Sequence, residues 1–135
     1  MQDARDRSGR IMQMKEEARP GLPLVDAYGA DGFTIHGRRR AAPLLVTPEG
    51  CHGLEAETLA AVDSNDLTPL EAVAPALDLI LVGTGRDMQP LPDSLSALLR
   101  SLDLASEAMD SAAAARTFNT LLLEDRRVAV LLMPL

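Results

Sequence analysis

The sequence predicts an α/β domain, a mixed sheet with crossover helices, on three observations. From residue 78 onward, apolar runs alternate with helical stretches in the order strand, helix, strand, helix, strand. That alternation is the pattern of strands joined by crossover helices. Residues 128–133 form an unbroken apolar run, as expected of a strand covered on both faces. Earlier in the chain, short extended segments are separated by glycine-containing turns, so they read as hairpin-connected additions.

Composition narrows the function classes. A chain of 135 residues is about one domain and long enough to bury a real core. Apolar residues make up 47% of it and aromatics 2%, so the core is aliphatic. A base-stacking surface for single-stranded nucleic acid needs aromatic faces. Phosphate-backbone binding needs a basic patch, whereas the net charge here is −7. Nucleic acid is therefore excluded as an expectation. The single cysteine, Cys51, precludes an internal disulfide and suits a reducing compartment. No apolar run approaches the roughly 18 residues that suggest a membrane span.

In chain order, residues 1–21 are polar, mixed in charge and without apolar periodicity, and read as a flexible arm. Its arginines suggest a transit peptide, but Asp3, Asp6, Glu16 and Glu17 argue against one. Ile11, Met12 and Met14 remain candidates for packing onto the body or a partner. Residues 22–135 read as one domain. Residues 24–28 and 33–36 are extended, with Ala30-Asp31-Gly32 as a hairpin signal. Arg38, Arg39 and Arg40 read as a charged tip: a solvated hairpin end, or a contact for an acidic partner. Residues 42–47 are a third strand, and Cys51 and His52 follow in a loop. As the only Cys–His neighbours they raise the question of a nucleophile and base, but catalytic pairs are usually assembled by the fold. Residues 54–62 read as a short helix. Thr68, Pro69 and Glu71 then read as a helix start with a capping box, cut short by Pro75.

Residues 78–82 are a core strand ending in Gly83-Thr84-Gly85-Arg86. Glycines at the carboxyl end of a strand allow backbone N–H groups to face an anion or a close neighbour. Ligands of α/β sheets often sit at that edge. Residues 92–102 are a helix whose Leu95, Leu98, Leu99 and Leu102 face the sheet. Residues 104–109 are the next strand. Asp110 or Ser111 caps a second helix, with Ala112, Ala115, Asn119 and Leu122 at helical spacing and a polar string of Arg116, Thr117 and Asn119.

Four strings carry a resemblance: DAYGADGFTIHG (26–37), LLVTPEG (44–50), DLILVGTGRDMQPLP (78–92) and EAMDSAAAARTFNTLLLEDRRVAVLLMPL (107–135). Together they resemble the Mth938-like family, largely uncharacterised bacterial and archaeal proteins that also include a mitochondrial assembly factor for complex I, the respiratory NADH dehydrogenase. The resemblance implies a single compact three-layer domain around a mixed central sheet, with no established catalytic activity. It also implies protein partners, membrane-complex subunits among them. This chain departs from the family pattern in having no Trp, Phe118 where Tyr is frequent, Ala115 where Cys is frequent, and Asp125 where Gly is common. The last departure suggests a different turn into the final strand.

Two functions follow as expectations. One is a non-catalytic, cytoplasmic bacterial assembly-type protein, with no cofactor, no metal and no catalytic residue, and short edge strands suited to a homodimer. The other is an anionic-ligand binding protein, or an enzyme, using Gly83, Thr84, Gly85 and Arg86 with Arg116, Thr117 and Asn119. Arg116 and Asn119 also have a plain structural reading, as polar groups tying their helix to neighbouring backbone.

Overall fold

The computed structural model describes residues 11–13 and 21–135. Most of the predicted arm, Met14 included, lies outside the described residues. Residues 11–13 form strand β1 (Ile11–Gln13), which pairs antiparallel with β2 (Val25–Gly29). β3 (Gly32–Ile35) and β4 (Arg38–Arg40) complete a four-stranded antiparallel sheet in the order β1-β2-β3-β4.

The second sheet is mixed. It contains β5 (Leu44–Thr47), β6 (Gly50–Gly53), β7 (Leu79–Gly83), β8 (Ser106–Met109) and β9 (Val128–Leu132), in the order β6-β5-β9-β7-β8. β9 runs parallel to β7 and antiparallel to β5. All five residues of β9 are buried, because this strand has a covered face on each side. Val128, Val130 and Leu132 join Leu44, Val46 and Leu81 on one face, against α3 (Ser111–Leu123) and the smaller sheet. Ala129 and Leu131 join Leu45, Ile80 and Val82 on the other, against α1 (Thr68–Val73) and α2 (Asp93–Ser101). The period-2 alternation of a strand thus divides one apolar run between two cores, which gives the three layers.

Several local expectations are corrected. The arginines are not a hairpin tip. They are the edge strand β4, and the turn before them is His36–Gly37, with φ 54° and 75°. Cys51 and His52 lie in β6, opposite Val46 and Leu45, because the chain doubles back after Thr47. The third strand starts at Leu44, after a proline that has no N–H to give a ladder. Residues 54–62 hold only a 3-10 turn, Leu59–Ala61, capped by Thr58. The segment before it is tied down differently, since Glu55 N–H donates to Asp66 Oδ1 at 2.9 Å. Thr68 does not cap α1; the cap position is Leu67, and the Thr68 hydroxyl donates to Ser64 O at 3.3 Å. The buried face of α3 is Ser111, Ala114, Ala115, Phe118 and Leu122, with Ala112 only half-buried. Asp110 caps α3 by accepting Ala113 N–H at 2.8 Å.

Asp125 takes φ 63° just beyond α3, with Asp125 N–H donating to Leu122 O and Arg126 N–H to Leu121 O. This is the left-handed helix end that glycine ordinarily supplies.

An ion-paired clamp joins the starts of β7 and β9. Asp78 N–H donates to Arg127 O at 2.7 Å, and Arg127 N–H returns to Asp78 Oδ2 at 3.1 Å. The Arg127 guanidinium reaches Asp78 Oδ1 at 3.2 Å, and Arg126 lies at 3.5 Å. The Arg127 backbone N–H holds the Asp78 carboxyl below its ordinary value; desolvation opposes this, and both guanidinium groups add to it. A carboxyl depressed in the folded state contributes stability fully above the ordinary range near ~3.9 and loses it as pH falls through the folded value. Asp78→Asn is therefore expected to be less stable than the parent at neutral pH, with the gap closing in acid below about pH 4. Urea midpoints across pH check this. A gap that stays constant on acidification would remove the clamp's role.

Candidate functional site

The turn after β7 is built to let α3 approach the sheet. A Cβ on Gly83 would lie 2.8 Å from both Cα and Oγ of Ser111, and 3.2 Å from Ala114 Cβ. Ser111, fully buried, ties three segments together. Its Oγ accepts Gly85 N–H at 2.9 Å and donates to Met133 O at 2.7 Å, while its own N–H donates to Gly85 O at 2.8 Å. Thr84 N–H donates to Met109 O at 2.8 Å. The Thr84 hydroxyl donates to Asp87 O at 2.7 Å and accepts Gln89 N–H at 3.0 Å. The amides of Thr84 and Gly85 are thus consumed by the fold. At the start of α3, the N–H groups of Ser111 and Ala113 are consumed as well. The turn therefore offers fewer open amides for the expected anion cradle than its glycines suggest.

What it presents is a groove at the carboxyl edge of β7 and β9, of ≈ 420 Å³. Thr84, Gly85 and Arg86 line one side, with Gln89, Pro90 and Pro92 continuing it. Met133 and Pro134 and, from the segment that enters the 3-10 turn, Glu57, Thr58, Leu59 and Ala60 complete its lining. Arg86 is exposed, so its guanidinium is available at the rim. The Thr84 hydroxyl pins the following loop at Asp87 and Gln89, and between them stands Met88, 58% exposed. Met88 is the one large exposed hydrophobic side chain among residues 21–135.

The other predicted site residues lie elsewhere. Arg116, Thr117 and Asn119 do not line the groove. Arg116 Nη1 donates to Tyr28 Oη at 2.9 Å. Asn119 clamps the start of β2, accepting Val25 N–H at 2.8 Å and donating to Val25 O at 2.9 Å. Thr117 is half-buried on the same helix. The structure therefore keeps Gly83, Thr84, Gly85 and Arg86 together and places the polar string of α3 against the small sheet. Sequence reading missed residues 57–60 and Met88. The proline pair around Leu91 was a signal for a stiff loop, but nothing local announced that residues 57–60 face it.

Cys51 and His52 are neighbours on a strand, so their side chains point to opposite faces. Burial pushes the Cys51 thiol up, with Arg40 opposing it. Neither fact favours a thiolate nucleophile. No group of three or more His, Cys, Asp or Glu among the described residues is placed to hold a metal ion.

Residues 25–133 match the family described as protein of unknown function (DUF498/DUF598). The chain belongs to this family. A Rhodobacter capsulatus uncharacterised protein is 35% identical over 124 residues, covering 92% of this chain and 94% of that one. A Xenopus tropicalis protein named NADH dehydrogenase [ubiquinone] 1 alpha subcomplex assembly factor 3 is 27% identical over 111 residues. That match covers 82% of this chain but 61% of the Xenopus protein, so the chain spans less than two-thirds of that relative's length. Among solved structures, a Bordetella pertussis protein described as a Mth938-like domain superposes with TM-score 0.71 at 28% identity, covering 91% of this chain and 92% of that one. The family resemblance and the three-layer fold are both borne out. No helix among the described residues is long and apolar enough to cross a membrane.

Proposed function

We propose that this chain is a non-catalytic, cytoplasmic protein-binding module of assembly type, which holds a segment of a larger complex while that complex is put together. The observation that carries the reading is the match to a named assembly factor across 82% of the chain. The surface that suits the role is the pinned loop beside the groove. Exposed methionine adapts to apolar partners, and arginine is favoured among residues that dominate interface energetics. The occupant this surface fits is an apolar segment of a partner protein with a carboxylate for Arg86.

Affinity purification of the tagged chain from its native host, with membranes gently solubilised, tests the reading. Stoichiometric recovery of subunits of a membrane-associated complex is expected, with Met88→Asp reducing it at least about tenfold by placing an unpaired charge in an apolar contact. Recovery of the chain alone, or only as a homodimer, would overturn it.

The groove's size favours one second reading. At ≈ 420 Å³ it falls within the roughly 300–1,000 Å³ of small-molecule sites, with Arg86 as the cation for an anionic ligand. A thermal-shift screen with small carboxylates and phosphates would then find a stabilising ligand, and Arg86→Ala would abolish the shift.

A further inference from the structure

Three consecutive arginines form β4, the last strand of the small sheet, in a chain of net charge −7. The register sets Arg38 opposite Ile35, Arg39 opposite Thr34 and Arg40 opposite Phe33. The connection is His36–Gly37, and both residues have the positive φ that a two-residue primed turn requires. Residues flanking such a turn exchange both backbone bonds, and the pairs then alternate. Arg38 and Arg40 therefore direct N–H and C=O inward to β3. Arg39 directs both outward, where no described residue meets them.

The side chains divide in the same way. Arg40 is committed, since its Nη2 donates to Cys51 O at 3.1 Å. Arg39 faces Asp31 at 3.6 Å, with the two side chains 47% and 80% exposed, a contact that water screens. Arg38 is exposed, and no hydrogen bond or ion pair joins its side chain to a described residue. The nearby Asp26 accepts Gly37 N–H at 2.9 Å.

We propose that β4 is a docking edge for an extended acidic segment of a partner protein, which adds to the small sheet as a further strand. Backbone bonds to Arg39 would set its register. Two adjacent carboxylates of the segment would meet Arg39 on one face and Arg38 on the other, because successive side chains of a strand alternate. Charged side chains blunt an edge against unwanted pairing; here an unpaired Arg38 and an Arg39 held only by a solvent-screened contact stand beside the outward N–H and C=O of Arg39, and supply recognition as well. The inference rests on the protein-binding reading and gives it a second surface, since no residue of β4 lines the groove.

The test titrates the full chain with a short end-blocked peptide of Glu, Thr and Val, read by fluorescence anisotropy and by amide exchange. Expected results are saturable binding, slowed exchange at Arg39 N–H with no change at Arg38 and Arg40, and a loss of about tenfold or more in the double variant R38E/R39E. The same peptide with N-methylated backbone keeps its charge but loses strand pairing, and is expected not to bind. Equal binding of the N-methylated peptide, or equal binding by R38E/R39E, would overturn the proposal. So would arginine-dependent binding to phosphatidylserine vesicles with none to the peptide, which would assign the strand to a lipid surface. If peptide docking fails while Met88-dependent recovery of a partner persists, only this inference falls. If no partner is recovered, the assembly reading falls.

Discussion

Replacing Gly83 with alanine is expected to lower stability by about 3 kcal/mol, the upper range for overpacking a tight contact. The added methyl would sit 2.8 Å from Ser111 Cα, a backbone atom at the head of α3. A flexible side chain moves aside at little cost, but here the helix itself must shift. Any shift also disturbs Ser111 Oγ, which holds Gly85 N–H and Met133 O. Gly83 is not among the residues with positive φ, so the effect is steric and owes nothing to backbone strain. For a domain near this size the midpoint of thermal unfolding should fall by roughly 10 °C. A midpoint indistinguishable from the parent's would mean that α3 is not seated against β7 as described. A modest fall for Gly83→Ala with a further fall for Gly83→Val would support the contact.

Asn119→Ala is expected to cost about 2 kcal/mol, since it removes both hydrogen bonds to Val25 and leaves both backbone groups of that residue to find other partners. The loss should be local. Val25 is held 94 residues away in sequence, so faster amide exchange is expected across β2 and β3, with β5, β7 and β9 unaffected. Asn119→Asp provides a sharper test. It keeps an acceptor for Val25 N–H but sets a carboxylate against Val25 O. The folded state would favour the protonated carboxyl, raising its pKa. The variant's deficit should then be largest at neutral pH and shrink in acid, as the proton restores a donor. A deficit independent of pH would show that the Asn119 donor contributes little.

These two residues also mark where sequence reading reached and where it stopped. Asn119 was legible as a polar residue on an apolar helix that either ties backbone or holds a ligand. Helical spacing could not choose, because the choice depends on what lies opposite, and Val25 is brought there only by the docking of the small sheet. Gly83 was legible as a strand-ending glycine beside a turn. Its role in admitting Ser111 required the distance between two segments of the fold.

The chain's pattern by itself determined the alternation of strands and helices after residue 78, the start of α3 at Asp110 or Ser111, and the double burial of β9. Those are consequences of short-range periodicity and local hydrogen bonding, which adjacent residues encode. Tertiary structure decided the rest. It turned the arginine run from a tip into an edge strand and put Cys51 and His52 on opposite faces of β6. It separated Arg116 and Asn119 from Arg86, and it faced the Thr58 turn toward the loop that displays Met88. The physical reason is the same in each case. Which groups share a surface is set by long-range pairing and by the competition of buried polar atoms for partners, and neither leaves a local signature in sequence.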